Sequence, residues 1–440
     1  MKIFENKKLQ EKYYLEILDN GLKVYLMPKD EFHKTYAVFS TKYGSRDIEF
    51  IPSGEKTYLK TPEGIAHFLE HKLFENEDGT DASNIFASLG ADVNAFTTNY
   101  QTSYLFSTTS DVKDNIELLL NFVQKPYFNK DGIERERGII EQELLMYLDQ
   151  PQNIQYYGIL KALYKQNNIR NEIGGTIDSI KEINEELLYT CYNTFYHPSN
   201  MVLAIVGKFD KDEIIKLIKD NQSKKEFSKP TIIERKYYLE DAMVNQKNSF
   251  IDMNVNFPKV SVGLKFPSEK NQPKDFLRKF TALEILIDIY FDESSLYYEE
   301  MMNNNIINNS FEYALYYDLT YGHLLINVDS ENPEVFIEKI KEIIAKIKYN
   351  DIEMKDFERF KKLYLSRAIR RFNSLEYIAN SMVEADFDNV TIFDSIEVLE
   401  AITIDDVKEQ RKYFNLESVA TFTIFPRKKK IRKFNLRILI

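Results

Sequence analysis

Two histidines bracket a glutamate in the run His67-Phe68-Leu69-Glu70-His71, and the chain has only five histidines to place. Random placement of this composition would give such a pattern about 0.006 times per chain. On a helix, positions i and i+4 share a face, so both imidazoles can point at one ion. Glu70 then lies about 60° around the helix from His67, beside the ion without having to bind it. A carboxylate in that position can take a proton from an attacking water molecule. The pattern predicts metal-assisted hydrolysis with one Zn²⁺ per chain, held by His67 and His71, with Glu70 as the base. The plainer reading is a pair of surface histidines on an ordinary helix.

A catalytic zinc site needs a third ligand and an open position. The acidic helix expected over 131–148 offers Glu134, Glu136, Glu141 and Glu143. By helical phase, Glu136 and Glu143 fall within roughly 20° of each other. They share their side with Ile133, Ile139, Ile140, Leu144, Met146 and Tyr147, whereas Glu134 and Glu141 face the other way, near Arg137. A carboxylate in an apolar stripe must be neutralised. Zinc, or a histidine bound to it, would do so, as would a buried arginine or lysine. Glu143 is taken as the third ligand and Glu136 as a group that orients the site.

The elements that must position these groups follow from periodicity and turn residues. Strands are expected at 22–27, 35–41, 92–98, 102–108 and 201–207. Helices are expected at 62–74, 81–89, 114–124, 132–148, 182–196 and 211–219, the first of them capped by Thr61 with Pro62 in its opening turn. The polar stretch 221–240, with Pro230 in its middle, is a candidate linker. Beyond it the order recurs: strands at 261–266, 311–317, 323–328 and 420–424, and helices at 275–290, 333–348, 356–371 and 405–413. The fold class expected is α+β, in two similar tandem domains. The first spans residues 1–225 and carries the metal motif, 226–240 is the linker, and the second spans 241–440.

Composition narrows the alternatives. The chain has 440 residues, 43% hydrophobic and 14% aromatic, enough for real cores. A net charge of −11 argues against nucleic acid as a partner. The basic run 427–433 reads as a solvated or partner-facing tail. The single cysteine, Cys191, excludes an intrachain disulfide and reads as a packing residue. No stretch has signal-peptide or membrane-span character, so the expectation is a cytoplasmic protein without a membrane partner. His33, His197 and His323 are taken as structural.

Residues 64–75 (GIAHFLEHKLFE) resemble the active-site helix of the pitrilysin family of inverted-motif zinc peptidases, which includes the mitochondrial processing peptidases and half-length bacterial members. Residues 94–98 are similar to the family's substrate-binding edge strand, 136–143 to its downstream acidic helix, and 196–201 and 401–407 to further family segments. The resemblance implies Glu143 as third ligand, a clam-shell peptidase chamber of which this chain is half, and a peptide lying along Asn94, Ala95 and Phe96. It implies hydrolysis of peptides or small unstructured precursors. The alternative is a non-catalytic structural subunit on the same fold.

One departure bears on partners. Family members typically carry an arginine and a tyrosine in the second half that grip the substrate. The comparable stretch here, 295–309, has no arginine, and Asn308 or Asn309 stands near the tyrosine position. The resemblance therefore implies a heterodimer, with a related chain supplying the missing pair; a homodimer is the other possibility.

Overall fold

The computed structural model describes residues 1–268 and 273–427, so the basic run at 427–433 lies, after Arg427, outside the described residues. The first half runs through strands β1 (Lys2–Asn6), β2 (Glu11–Ile17), β3 (Lys23–Pro28), β4 (Thr35–Thr41), β5 (Glu49–Phe50) and β6 (Leu59–Lys60). Helices α1 (Ile65–Lys72) and α2 (Ala82–Ser88) precede β7 (Ala91–Thr97) and β8 (Thr102–Thr108). Then come α3 (Val112–Val123), α4 (Lys130–Leu148), α5 (Pro151–Leu163), α6 (Ile177–Lys181), α7 (Glu185–Phe195), β9 (Met201–Gly207) and α8 (Lys211–Gln222). The second half holds β10 (Asn248–Met253), β11 (Lys259–Phe266), α9 (Pro273–Phe291), α10 (Leu296–Asn303), β12 (Glu312–Tyr317) and β13 (Gly322–Asp329). It ends with α11 (Pro333–Tyr349), α12 (Met354–Arg371), α13 (Leu375–Phe387), α14 (Asp394–Ala401), α15 (Ile404–Gln410) and β14 (Val419–Pro426). No helix among the described residues is long and apolar enough to cross a membrane.

Each half is a mixed sheet packed with helices, and the halves repeat one another. The first sheet has the order β1-β2-β3-β9-β4-β8-β7 and the second β10-β14-β11-β13-β12. In the first, β3 and β9 are parallel and the pairs β9–β4, β4–β8 and β8–β7 antiparallel. The second reproduces that pattern strand for strand, from the parallel β10–β14 pair to the antiparallel β13–β12 edge. The expected duplication is therefore real, and the first half adds the hairpin β1–β2, which sequence patterning did not reveal.

Every residue of β4 and β9 is buried, which requires cover on both faces of the sheet. One face, with Ala37, Phe39, Leu203 and Ile205, packs on α1, α3 and α7. The other face, with Tyr36, Val38, Val202 and Ala204, packs on α13, a helix of the second half. The exchange is mutual. Helix α5 of the first half covers the second sheet, where Ile159, Leu160 and Leu163 meet Leu325, Ala420 and Phe422. Gly158 permits this approach, because a Cβ there would sit 2.4 Å from the Phe422 ring.

The segment between α8 and β10, which includes the expected linker, has no regular element but is fastened to both halves. Ile51 N–H donates to Glu234 O and Lys236 N–H to Glu49 O. Glu240 accepts from the backbone N–H groups of Lys165, Gln166 and Asn167 and pairs with buried Lys265 at 2.7 Å. A second tie is Arg46, only 8% exposed, whose guanidinium lies 2.7 Å from the Asp318 carboxylate of the other half and stacks over Tyr237. Removing one partner of a buried ion pair strands the other. Arg46→Met should therefore lower the unfolding free energy by about 3 kcal/mol or more, measured by urea denaturation; an unchanged midpoint would show that Arg46 does not tie the halves together.

Candidate metal centre

Helix α1 begins later than the sequence suggests. Thr61 does not cap it: its N–H and hydroxyl both turn to Ile48 O, and the helix starts at Ile65 after Gly64, whose φ is +87°. Gly64 is dictated by its neighbour as well as by its backbone. A Cβ there would lie 2.3 Å from Gly174 O, and one on Gly175 would lie 2.4 Å from Glu63 O. Asn171 Nδ2 also donates to Glu63 Oε1 at 2.8 Å, and Ser179 Oγ to Glu63 O at 2.8 Å. Loop 171–179 thus clamps the start of α1, while Ile65, Phe68 and Leu69 anchor its other face in the core.

That anchoring aims His67, Glu70 and His71 at α4, whose start is capped by the Asn129 side chain, which accepts from Gly132 N–H. The apolar stripe expected on α4 is only partly buried. Ile133, Ile140 and Leu144 enter the core, but Ile139 is 58% exposed and Met146 50%. The phase reading was too wide: the core takes a narrow strip, and Glu136 and Glu143 flank it on the side of α1. The guanidinium of Arg137 donates to Ile180 O and Ile183 O and pairs with Glu134.

Glu143 Oε2 lies 3.9 Å from His67 Nε2 and 3.7 Å from His71 Nε2. One donor atom from each of the three residues falls within 4.8 Å of the other two. Ligands at zinc bond lengths in a tetrahedron sit about 3.4 Å apart, so the two Glu143–histidine separations exceed that spacing by only about half an ångström or less. Two imidazoles and one carboxylate are a donor set suited to catalytic zinc. Among the described residues this is the one such cluster. Glu136 Oε1 lies 2.9 Å from His71 Nδ1. An Nδ1–H donated to Glu136 turns the Nε2 lone pair toward the cluster.

Without a cation the site is electrostatically awkward. Burial and the neighbouring His71 lower His67 to about 4. Burial also disfavours charge on His71, but Glu136, Glu70 and Glu143 outweigh it and leave that imidazole above its ordinary value. Burial pushes Glu70 up to about 7, although the Thr97 hydroxyl donates to its Oε2. Metal binding must displace any proton from the ligands.

The centre opens into a cavity of about 550 Å³ whose walls include His67, Glu70, Glu143 and the β7 residues Asn94, Ala95 and Phe96. Strand β7 is the edge of its sheet, so one row of its backbone groups is unpaired. Asn94 is exposed, and its Oδ1 accepts from Ala95 N–H. Sequence reasoning places Thr97 only within the edge strand and assigns no role to Tyr147 or to residues 172–174, all at this cavity. The spacing of Tyr147 four residues after Glu143 and the Gly174-Gly175 pair were the available signals. Of the remaining histidines, His323 is buried against Tyr164 and His197 bonds Ser199 and Ser228 O, whereas His33 is exposed. Cys191 is buried, its thiol pushed up to about 12.

Comparison with known proteins identifies a family for the fold. Residues 50–177 match the family model for insulinase (peptidase family M16), and residues 182–364 match the model for the peptidase M16 inactive domain. The chain is 41% identical to the uncharacterized zinc protease YmfH of Bacillus subtilis over 93% of this chain and 95% of that one. It is 29% identical to the bovine (Bos taurus) mitochondrial-processing peptidase subunit beta over 39% of this chain and 36% of that one. A crystal structure described as an M16-like peptidase from Alicyclobacillus acidocaldarius superposes with a TM-score of 0.91 at 33% identity, covering 96% of this chain and 99% of that one. Pitrilysin shares the fold, with a TM-score of 0.74 at 16% identity, over 96% of this chain and 46% of that one.

The clamp on α1 has a testable consequence. Gly64 and Gly54 have nearly the same left-handed φ, but a Cβ on Gly54 meets nothing within 4 Å. Alanine at either position should cost about 1 kcal/mol for the backbone, and only Gly64→Ala should add a steric penalty. The thermal midpoint of metal-free Gly64→Ala is expected well below that of Gly54→Ala; equal midpoints would contradict the clamp.

Proposed function

The chain belongs to the M16 peptidase family, and from that premise we propose that it is a zinc-dependent endopeptidase acting on peptides or small unstructured polypeptides. The observation that carries the reading is the convergence of His67, His71 and Glu143 beside an unpaired sheet edge, with Glu70 buried next to them. Zinc held by these three residues would supply Lewis acidity, to polarise the scissile carbonyl and ease deprotonation of water near neutral pH.

The chain's own residues supply the rest. Glu70 takes the proton of the attacking water and delivers it to the leaving amine. Thr97 donates to Glu70 Oε2, which leaves Oε1 free for that proton. Burial favours the protonated carboxyl that the second transfer requires. Glu136 holds His71 in the tautomer that presents Nε2. A substrate adds as a strand along β7, its main chain bonding to the free edge at Asn94 to Phe96. Only an extended, locally unstructured chain can bind in this way, which gives affinity with little sequence selectivity.

The active unit in this proposal is a dimer with a related chain. Asn308, near the position where relatives carry a gripping tyrosine, is tied to its own chain: its Nδ2 donates to Asp329 O and its Oδ1 accepts from Ser310. The chain also spans about half of pitrilysin and of the periplasmic protease PqqL from Escherichia coli, which leaves room in those proteins for a second unit of the same size.

Glu70→Gln should keep one zinc per chain by elemental analysis while losing at least about 10²-fold in cleavage of a quenched-fluorescence peptide, measured with the candidate partner chain present. Chelation should abolish cleavage by the wild type. A Glu70→Gln protein that still cleaves would remove Glu70 from the mechanism.

A further inference from the structure

The three donors of the metal centre are not held alike. His71 is oriented by Glu136 through Nδ1. His67 Nδ1 is buried without a hydrogen-bond partner, so that ring is held by packing, close to Gly174. Glu143 is held by a neighbour on its own helix face: Tyr147 Oη donates to Glu143 Oε1 at 2.8 Å. The two carboxylate oxygens are therefore divided. Oε2 faces both histidines, and Oε1 faces the phenol.

We propose that Tyr147 is a positioning residue that restricts Glu143 to a single oxygen toward the metal and so keeps a coordination position open for water and substrate. The inference rests on the zinc reading above and adds to it a cause for the open site. A free carboxylate can swing to offer both oxygens to a cation, which would fill the position that catalysis needs. With Oε1 engaged by a hydroxyl, the second oxygen can reach the metal only by giving up that hydrogen bond. Spacing makes the arrangement local. Tyr147 is four residues beyond Glu143, so both project from one face of α4 in its last two turns. Tyr147 also lines the cavity, where the phenol reaches the carboxylate from the open side. A purely structural tyrosine in this place would contribute packing alone, and phenylalanine would replace it without consequence for the metal.

The test uses Tyr147→Phe in the full chain, loaded with Zn²⁺ alone and, separately, with Co²⁺ as a spectroscopic probe. The metal-free variant should keep the circular dichroism and thermal midpoint of the wild type. Its zinc affinity, measured against a chromophoric chelator, should fall by about tenfold. Its cobalt spectrum should lose visible intensity, as four-coordinate cobalt gains a further ligand. In a Glu143→Ala background the same substitution should change zinc affinity no further, which also separates the two roles if Tyr147→Phe alone shifts stability. Unchanged affinity and an unchanged cobalt spectrum would overturn the assignment. Failure of the wild type to take up zinc would overturn the metal reading itself and Tyr147's role with it, so the two failures are distinguishable.

Discussion

Three carboxylates and two imidazoles crowd together between α1 and α4, and that crowding is the constraint on which the rest depends. Glu70, Glu136 and Glu143 all lie within reach of His71, and among the described residues no lysine or arginine lines the cavity. Like charges brought together in a low-dielectric cleft repel strongly. Burial pushes Glu70 toward its neutral form, while Glu136, Glu70 and Glu143 together draw His71 toward its cationic form. A divalent cation relieves the repulsion, because it attracts every carboxylate at once. The donor arrangement is thus one that a metal stabilises, and proton displacement couples its affinity to pH.

Such a cleft persists only in a frame that resists its repulsion. Helix α1 has its apolar face in the core and its start locked by the 171–179 loop. Helix α4 is fixed along the strip Ile133, Ile140 and Leu144. The reach of the frame extends beyond the first half. The first sheet is covered on its far side by α13, and α5, which follows α4 after a short turn, is buried against the second sheet. Through α5 the end of α4, where Glu143 and Tyr147 project, is connected to the other half. The second half therefore does physical work for the site by supporting the helix next to it.

Much of this was legible in the chain. The spacing of His67, Glu70 and His71 states its chemistry directly, and helical phase narrowed the third ligand to Glu136 and Glu143. Alternation at β3, and short runs of strand-favouring residues at β4, β8 and β9, are legible, as is the recurrence of element order. Other features were hidden for physical reasons. Helix α5 is apolar around much of its circumference and contains Pro151 and Gly158, so it shows no amphipathic period; its burial depends on a sheet more than 100 residues away. Helix α13 carries a helical period at Leu375, Ile378, Ala379, Met382 and Val383, although the expected elements include no helix there. The start of α1 was misplaced because Thr61-Pro62 looks like a cap, whereas the real boundary is set by contact with Gly174. The α4 stripe was read as buried throughout because hydrophobicity does not report which apolar residues find a partner within the chain.

The central claim is that His67, His71 and Glu143 converge to hold one zinc ion. It is tested most directly by anomalous diffraction at the zinc edge from crystals of the zinc-loaded protein. The account predicts one strong peak about 2.0–2.2 Å from Nε2 of both histidines and from a single oxygen of Glu143. A peak bonded to other side chains, or none between the two histidines in zinc-loaded crystals, would contradict it.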